Sequence, residues 1–330
     1  MRQRLFVGAV VLLLAMSPGR PVNAQAPSDR VARLAFVSGI TESSISPGYK
    51  VDFWQRLHEL GWTRGENLLV EERWAAGYVD RMPALFADVI ARDVDVLLTA
   101  TDTGAIAAKK ATSTIPVVAI SLGDPVGTGV AASLAHPGGN VTGFSVQFGE
   151  EVPFKCLELL GEVLPLRSAV AVLWNPNFAT SRAQVDRLEK DAAAHGIKLT
   201  LISFRSWPDV ERAFLQARAQ AKGVLVLADP LTYSDRHRVA ALAARSRIPT
   251  IYQLLDFAED GGLMAYGADF RVMYRRAAEY VDKILRGANA GDLPIEQSRQ
   301  LKLAINLKAA QALGLTFPES ILLRAEEVVR

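Results

Sequence analysis

Polar residues suited to holding a small charged solute collect at the ends of apolar, β-branched runs in this chain. In the first half these are Ser38, Thr99, Thr101, Thr103, Ser121 and Asp124. In the second they are Asn175, Asn177, Asp229, Thr232, Tyr252 and Tyr266. Hydroxyls and backbone N–H groups at a helix N-terminus suit a carboxylate, and the Thr101 to Gly104 turn is such a place. A carboxylate at Asp124 or Asp229 would form a charge-assisted bond with an ammonium. Trp174, Tyr252, Tyr266 and Phe144 could wall an apolar side chain. Together they describe the recognition of a zwitterion with a side chain, which is an amino acid. Each residue alone also has a plainer reading. Asp124 and Asp229 precede proline and can initiate turns, Thr101 and Thr103 can cap a helix, and Trp174 and Tyr252 can be core residues at strand ends.

Patterns for catalysis or cofactor binding are missing from the sequence. His58, His136, His195 and His237 are scattered and lack HExxH spacing, so no metal is expected. A nucleophile elbow GxSxG is not found. Cys156, the single cysteine, falls on an apolar helical phase with Leu157 and Leu160 and reads as a small core residue. The glycines at 123–129 and 138–139 match neither GxxxxGK[ST] nor GxGxxG, so no nucleotide cofactor is expected. The expected protein is a binder and not an enzyme.

Alternating strands and helices must position the polar ends. Arg33 to Gly39, Asn67 to Trp74, Val94 to Thr101 and Ile115 to Leu122 read as strands, separated by helical runs at 47–61, 81–92 and 104–112. After a short strand from Val141 to Phe144 the order starts again. Strands at 169–174, 198–204, 223–227, 248–253 and 263–266 are separated by helices at 182–195, 207–220 and 234–246. Such alternation means βαβ units and a parallel sheet. The halves have the same pattern, with Ser38, Thr101 and Asp124 corresponding in topology to Asn175, Asp229 and Gln253. A period of about 130 residues means two similar lobes and not a solenoid. In an open α/β sheet, ligands sit at the carboxyl ends of strands, so the two sets of loops should face one another.

At 330 residues, half of them hydrophobic and 22% charged, the chain suits two globular domains. Arg2 and Arg4 followed by an apolar run from Leu5 to Met16 read as a secretory signal. About twelve apolar residues are too few to cross roughly 30 Å of hydrocarbon. Val22-Asn23-Ala24 fits a cleavage site with a mature start at Gln25, which makes residues 1–24 a signal peptide. Gln25 at that place, instead of a cysteine, predicts a protein free of a lipid anchor. Removing the segment leaves 34 bases against 35 acids. With no basic stripe, a nucleic-acid partner is not expected.

One set of spaced motifs resembles a known family. Ser121-Leu-Gly-Asp-Pro-Val-Gly-Thr-Gly129 and Ala135-His-Pro-Gly-Gly-Asn-Val-Thr-Gly143 begin it, and Val172-Leu-Trp-Asn-Pro-Asn177 and Asp229-Pro-Leu231 continue it. Gly261-Gly-Leu-Met-Ala-Tyr-Gly-Ala-Asp269 and Ile305-Asn-Leu-Lys308 complete it. The string is similar to the ABC-transporter substrate-binding proteins of the tryptophan- and tyrosine-binding type, over nearly the whole mature chain. That resemblance implies a type I periplasmic binding fold, α/β in class, with two Rossmann-like lobes joined by three hinge crossings. It also implies that Ser38, Thr101, Ser121, Asp124, Asn175, Asp229 and Tyr252 line the cleft. The expected division is 30–146 with about 268–292 for lobe 1, and 147–267 with about 293–330 for lobe 2.

The expected mechanism is hinge closure driven by a ligand that touches both half-sites. A monomer free in the periplasm would then present its closed form to an ABC permease in the inner membrane. A sensory receptor feeding a membrane kinase would have the same fold. A cleft hydrolase would consume its ligand, and a repressor of similar lobes would need a DNA-reading segment ahead of Arg33.

Overall fold

The computed structural model describes residues 30–146, 151–165, 168–178, 180–298 and 301–330. The expected signal peptide and the mature start at Gln25 lie outside the described residues. The strands are β1 (Ala32–Ser38), β2 (Leu68–Trp74), β3 (Val96–Thr99), β4 (Val117–Leu122), β5 (Val141–Val146), β6 (Val170–Trp174) and β7 (Leu199–Ser203). They continue with β8 (Gly223–Val226), β9 (Thr250–Tyr252), β10 (Met264–Ala268), β11 (Glu296–Ser298), β12 (Leu301–Asn306) and β13 (Glu327–Val329). The helices are α1 (Pro47–Glu59), α2 (Met82–Ile90), α3 (Asp102–Ala111), α4 (Val152–Val163), α5 (Ser181–Ala194) and α6 (Trp207–Gln220). After them come α7 (Pro230–Ser234), α8 (Arg236–Ser246), α9 (Asp256–Glu259), α10 (Phe270–Leu285), α11 (Leu307–Leu313) and α12 (Glu319–Leu322).

Two sheets organise these elements. The first has the order β11-β5-β4-β3-β1-β2, and the second β13-β12-β10-β9-β8-β6-β7. Five strands repeat the same arrangement, since 2-1-3-4-5 in the first sheet becomes 7-6-8-9-10 in the second. The first sheet is parallel throughout. The second is parallel except where β12 runs against β10. The ends of β1, β3 and β4 therefore match those of β6, β8 and β9, as the sequence pattern indicated.

The chain changes sheet after β5, after β10 and after β11, giving three crossings. Helix α10 leaves the second sheet and lies on α1 of the first. Trp62 donates its indole N–H to Asp282 at 2.8 Å, and Arg271 pairs with Asp52 and Arg275 with Glu59. One expectation needs correction here. The boundary near 292 assigned 293–298 to lobe 2, yet β11 pairs with β5 at the edge of the first sheet. Tyr280 of α10 fixes that stretch by donating to the Pro294 carbonyl at 2.7 Å.

The inner strands β4 and β5 are buried along their whole length, which is why they read as continuous apolar runs. Gly143 within β5 has φ +134°, and a Cβ there would meet the Ala119 carbonyl oxygen at 2.0 Å. Only glycine lets the strands approach at this point, where their register shifts. Cys156 is fully buried on α4, and burial pushes its thiol far up. No helix among the described residues is long and apolar enough to cross a membrane.

Candidate functional site

A cavity of about 700 Å3, counted with its open mouth, lies between the two sheets at the carboxyl ends of their strands. Ile40, Ile45, Tyr49, Ala100, Thr101, Asp102, Ile120 and Ser121 line it from the first lobe. Phe178, Thr180, Ala228, Asp229, Pro230, Tyr233 and Leu254 line it from the second, and Phe270 and Tyr274 from α10.

The two lobes touch beside this cavity. Tyr49 of α1 donates to Asp256 of α9 at 2.9 Å, and Ser44 donates its hydroxyl to the Ser234 carbonyl at 2.6 Å. Arg236 reaches the Ser44 carbonyl, and the Thr41 amide donates to the Ser234 hydroxyl at 3.2 Å. Gly77, with φ +86°, lies so close to the second lobe that a Cβ there would be 2.8 Å from Leu231 Cα.

Three of the residues expected from the sequence line the cavity. Thr101 caps α3, its hydroxyl accepting from the Gly104 amide at 3.2 Å. Ser121 is buried near the end of β4. Asp229 follows β8 and caps α7: one carboxylate oxygen accepts from the amides of Leu231 at 2.8 Å and Thr232 at 3.3 Å. Its other oxygen accepts from Asn175 at 2.9 Å. Asn175 thus supports Asp229 from behind and does not line the cavity. The stretch after Ala228 is the short helix α7, with Asp229 and Pro230 starting that helix and not a simple turn. A proline after a capping acid is a helix start as readily as a turn.

The remaining candidates lie elsewhere. Ser38 and Thr103 do not line the cavity, and each has a buried hydroxyl with no partner among the described residues. Asp124 is exposed and accepts from the Gly127 amide at 2.7 Å, so it folds its own turn. Tyr252 is fully buried and stacks on Phe257 at 4.2 Å, within the second lobe. Burial drives its phenol pKa up. Tyr266 packs against the core behind β10, where its carbonyl accepts from the Cys156 thiol. Alternation along a strand explains Tyr252, the last residue of β9, because a terminal residue points to either face according to register. Trp174 and Phe144 likewise belong to the interior, Phe144 lying against Tyr280 at 4.9 Å.

The aromatic wall instead comes from helices: Tyr49, Tyr233, Phe270 and Tyr274, with Phe178 from a loop. Tyr49 stacks on Tyr274 at 5.3 Å. Burial, reinforced by the charge of Asp256, holds the Tyr49 and Tyr233 phenols well above their ordinary range, so both stay protonated donors. Sequence reasoning passed over Asp102, although it lies inside the Thr101 to Gly104 turn. Asp102 is 3% exposed, and one of its oxygens accepts from the Gly123 amide at 2.8 Å. Burial pushes its carboxyl up to about 6, against the pull of the Gly123 and Asp124 amides. Asp229 is also pushed up to about 6 by burial, against its bonds to Asn175 and the α7 amides. Among the described lining residues none is Lys, Arg or His, so the cavity carries acid without base.

Known proteins share this fold. A Vibrio cholerae conserved domain protein of known structure is 28% identical, with a TM-score of 0.83 over 91% of this chain and 100% of its own. The "ABC domain in complex with L-Trp" from Streptococcus pneumoniae is 23% identical, with a TM-score of 0.81 over 90% of this chain and 99% of its own. A Tyrosine-binding protein of Clostridioides difficile (strain R20291) is 25% identical over 279 residues, 84% of this chain and 80% of that one. A family model described as "ABC transporter substrate binding protein" matches residues 31–329, and the chain belongs to that family.

Proposed function

We propose that this protein is the exported binding component of an ABC importer, holding an amino acid with an aromatic or branched side chain between its lobes. The observation that carries this reading is the cavity itself, built from both sheets, walled by Tyr49, Tyr233, Phe270 and Tyr274 and edged by Asp102, Thr101 and Ser121. Aromatic faces take a flat or branched apolar group, and the acids and hydroxyls take the polar end. The relatives named for L-Trp and tyrosine support the same class. A ligand touching both lobes stabilises their closed arrangement, which a membrane permease can distinguish from the open one. The function is binding without chemical change, in the periplasm, by a monomer that the N-terminal apolar run directs across the inner membrane.

A thermal-shift screen of refolded, ligand-stripped protein against single amino acids tests this. A true ligand at 100 times its Kd adds about 2.7 kcal/mol, a shift of several degrees. Unmoved melting with every aromatic and branched amino acid would remove the ligand class. Consumption of the ligand on incubation would remove the binding-only function.

A further inference from the structure

We propose that Asp102 is the residue that selects the ligand of this cleft, by requiring an ammonium group. The proposal deepens the amino-acid reading above and rests on it. Two buried acids line the cavity, and their oxygens are used differently. Asp229 is spent on the fold, with both oxygens accepting, from Leu231 and Thr232 on one side and from Asn175 on the other. Asp102 uses one oxygen to hold the Gly123 amide, while Oδ1 is buried with no partner among the described residues. A buried carboxylate oxygen without a donor carries the full desolvation cost of the group, which a donor in the cavity would remove. An ammonium supplies three donors and the balancing charge.

The rest of the cavity favours the same charge. No lining residue among those described is basic, so a ligand carboxylate finds only hydroxyls and backbone amides, such as those around Thr101 and Ser121. The positive end of the zwitterion is therefore the end that is read, and the carboxylate is tolerated.

Titration calorimetry with wild type, Asp102→Asn and Asp102→Ser separates the possibilities, using tryptophan, tyrosine, leucine, isoleucine and valine with the matching amines and deaminated acids. For tryptophan these partners are tryptamine and indole-3-propionate. Asn keeps the acceptor for Gly123, and Ser is a second variant should Asn fold poorly. Wild type is expected to bind tryptophan-type ligands and their amines, and the deaminated acids at least about tenfold more weakly. Both variants should lose about tenfold or more for amino acids and amines, with little change for the acids. Unchanged amine affinity in the variants, or an equal loss for amines and acids, overturns the role of Asp102 while the amino-acid reading stands. Binding of deaminated acids as tightly as amino acids also overturns it. Wild type that binds no ammonium compound of the panel overturns both.

Discussion

Tyr49 and Asp256 belong to different lobes, and the phenol of the first donates to the carboxylate of the second at 2.9 Å. The same ring lines the cavity and stacks on Tyr274. One side chain thus touches the ligand space, the crossing helix α10 and the opposite lobe.

Tyr49→Phe keeps the wall and removes the bond. A hydrogen bond to a charged group is worth about 1.5–3 kcal/mol, so affinity for any ligand should fall about tenfold or more. The loss should appear as faster dissociation, and small-angle scattering of the variant should show a larger radius without ligand. Equal affinity and equal radius would show that this bond contributes nothing to closure.

Gly77→Ala tests the approach of the lobes from another side. A Cβ there meets Leu231 Cα at 2.8 Å and must also accept φ +86°. The backbone strain, on the order of 1–3 kcal/mol, is present whether the lobes are open or shut. The clash arises only when they are shut. Ligand affinity should therefore fall more than the melting temperature of the ligand-free protein suggests. A variant that binds as wild type does would mean that Leu231 moves aside.

Asp229→Ala should weaken the fold before it weakens recognition. It removes the cap of α7 and leaves the Asn175 amide without its acceptor. Loss of a cap and of a buried partner together costs about 2–4 kcal/mol. Differential scanning calorimetry should show melting lower by about 5 °C or more, and less loss with Asn at this position. Unaltered melting with a lost ligand would make Asp229 a contact residue instead.

The buried acids also make stability depend on pH. Asp102 and Asp229 stand at about 6 when folded against an ordinary 3.8, so the folded chain holds these protons more tightly than the unfolded chain. Their stabilising contribution is complete below about 4 and is lost as pH rises through about 6, at about 3 kcal/mol for each group. The difference in melting temperature between Asp102→Asn and wild type should therefore change in favour of the variant between pH 5 and pH 7.5. An ammonium ligand favours the ionised form, so wild-type affinity should weaken as pH falls from 7 to 5. Parallel melting profiles for the two proteins would remove Asp102 as a source of this dependence.

The repeat of two sheets was legible because strand periodicity and turn residues recur in the same order in both halves. The loop ends were also found, and Thr101, Ser121 and Asp229 line the cavity from them. Misplacements came from strand register and turn geometry that no local pattern reveals. Tyr252 closes a strand whose last side chain faces α9, and Asp124 binds the amide three residues on. The aromatic wall was missed because Tyr49, Phe270 and Tyr274 read as ordinary apolar helix positions. Only the fold of the whole chain brings α1 and α10 together over the cleft. Asp102 was the nearest miss: an acid in a helix's first turn is usually explained by the helix dipole.

Neither half of the molecule is a continuous length of backbone. The sheet begun by β1 receives its edge strand β11 and its covering helix α10 from beyond β10, and the chain then returns to complete the other sheet with β12 and β13. No single cut releases an intact half, so a nascent chain stopped at residue 268 has five strands of the first sheet and lacks the helix that covers α1. The two halves must mature together, and a ligand-competent gap comes into being only after nearly all of the polypeptide has been made.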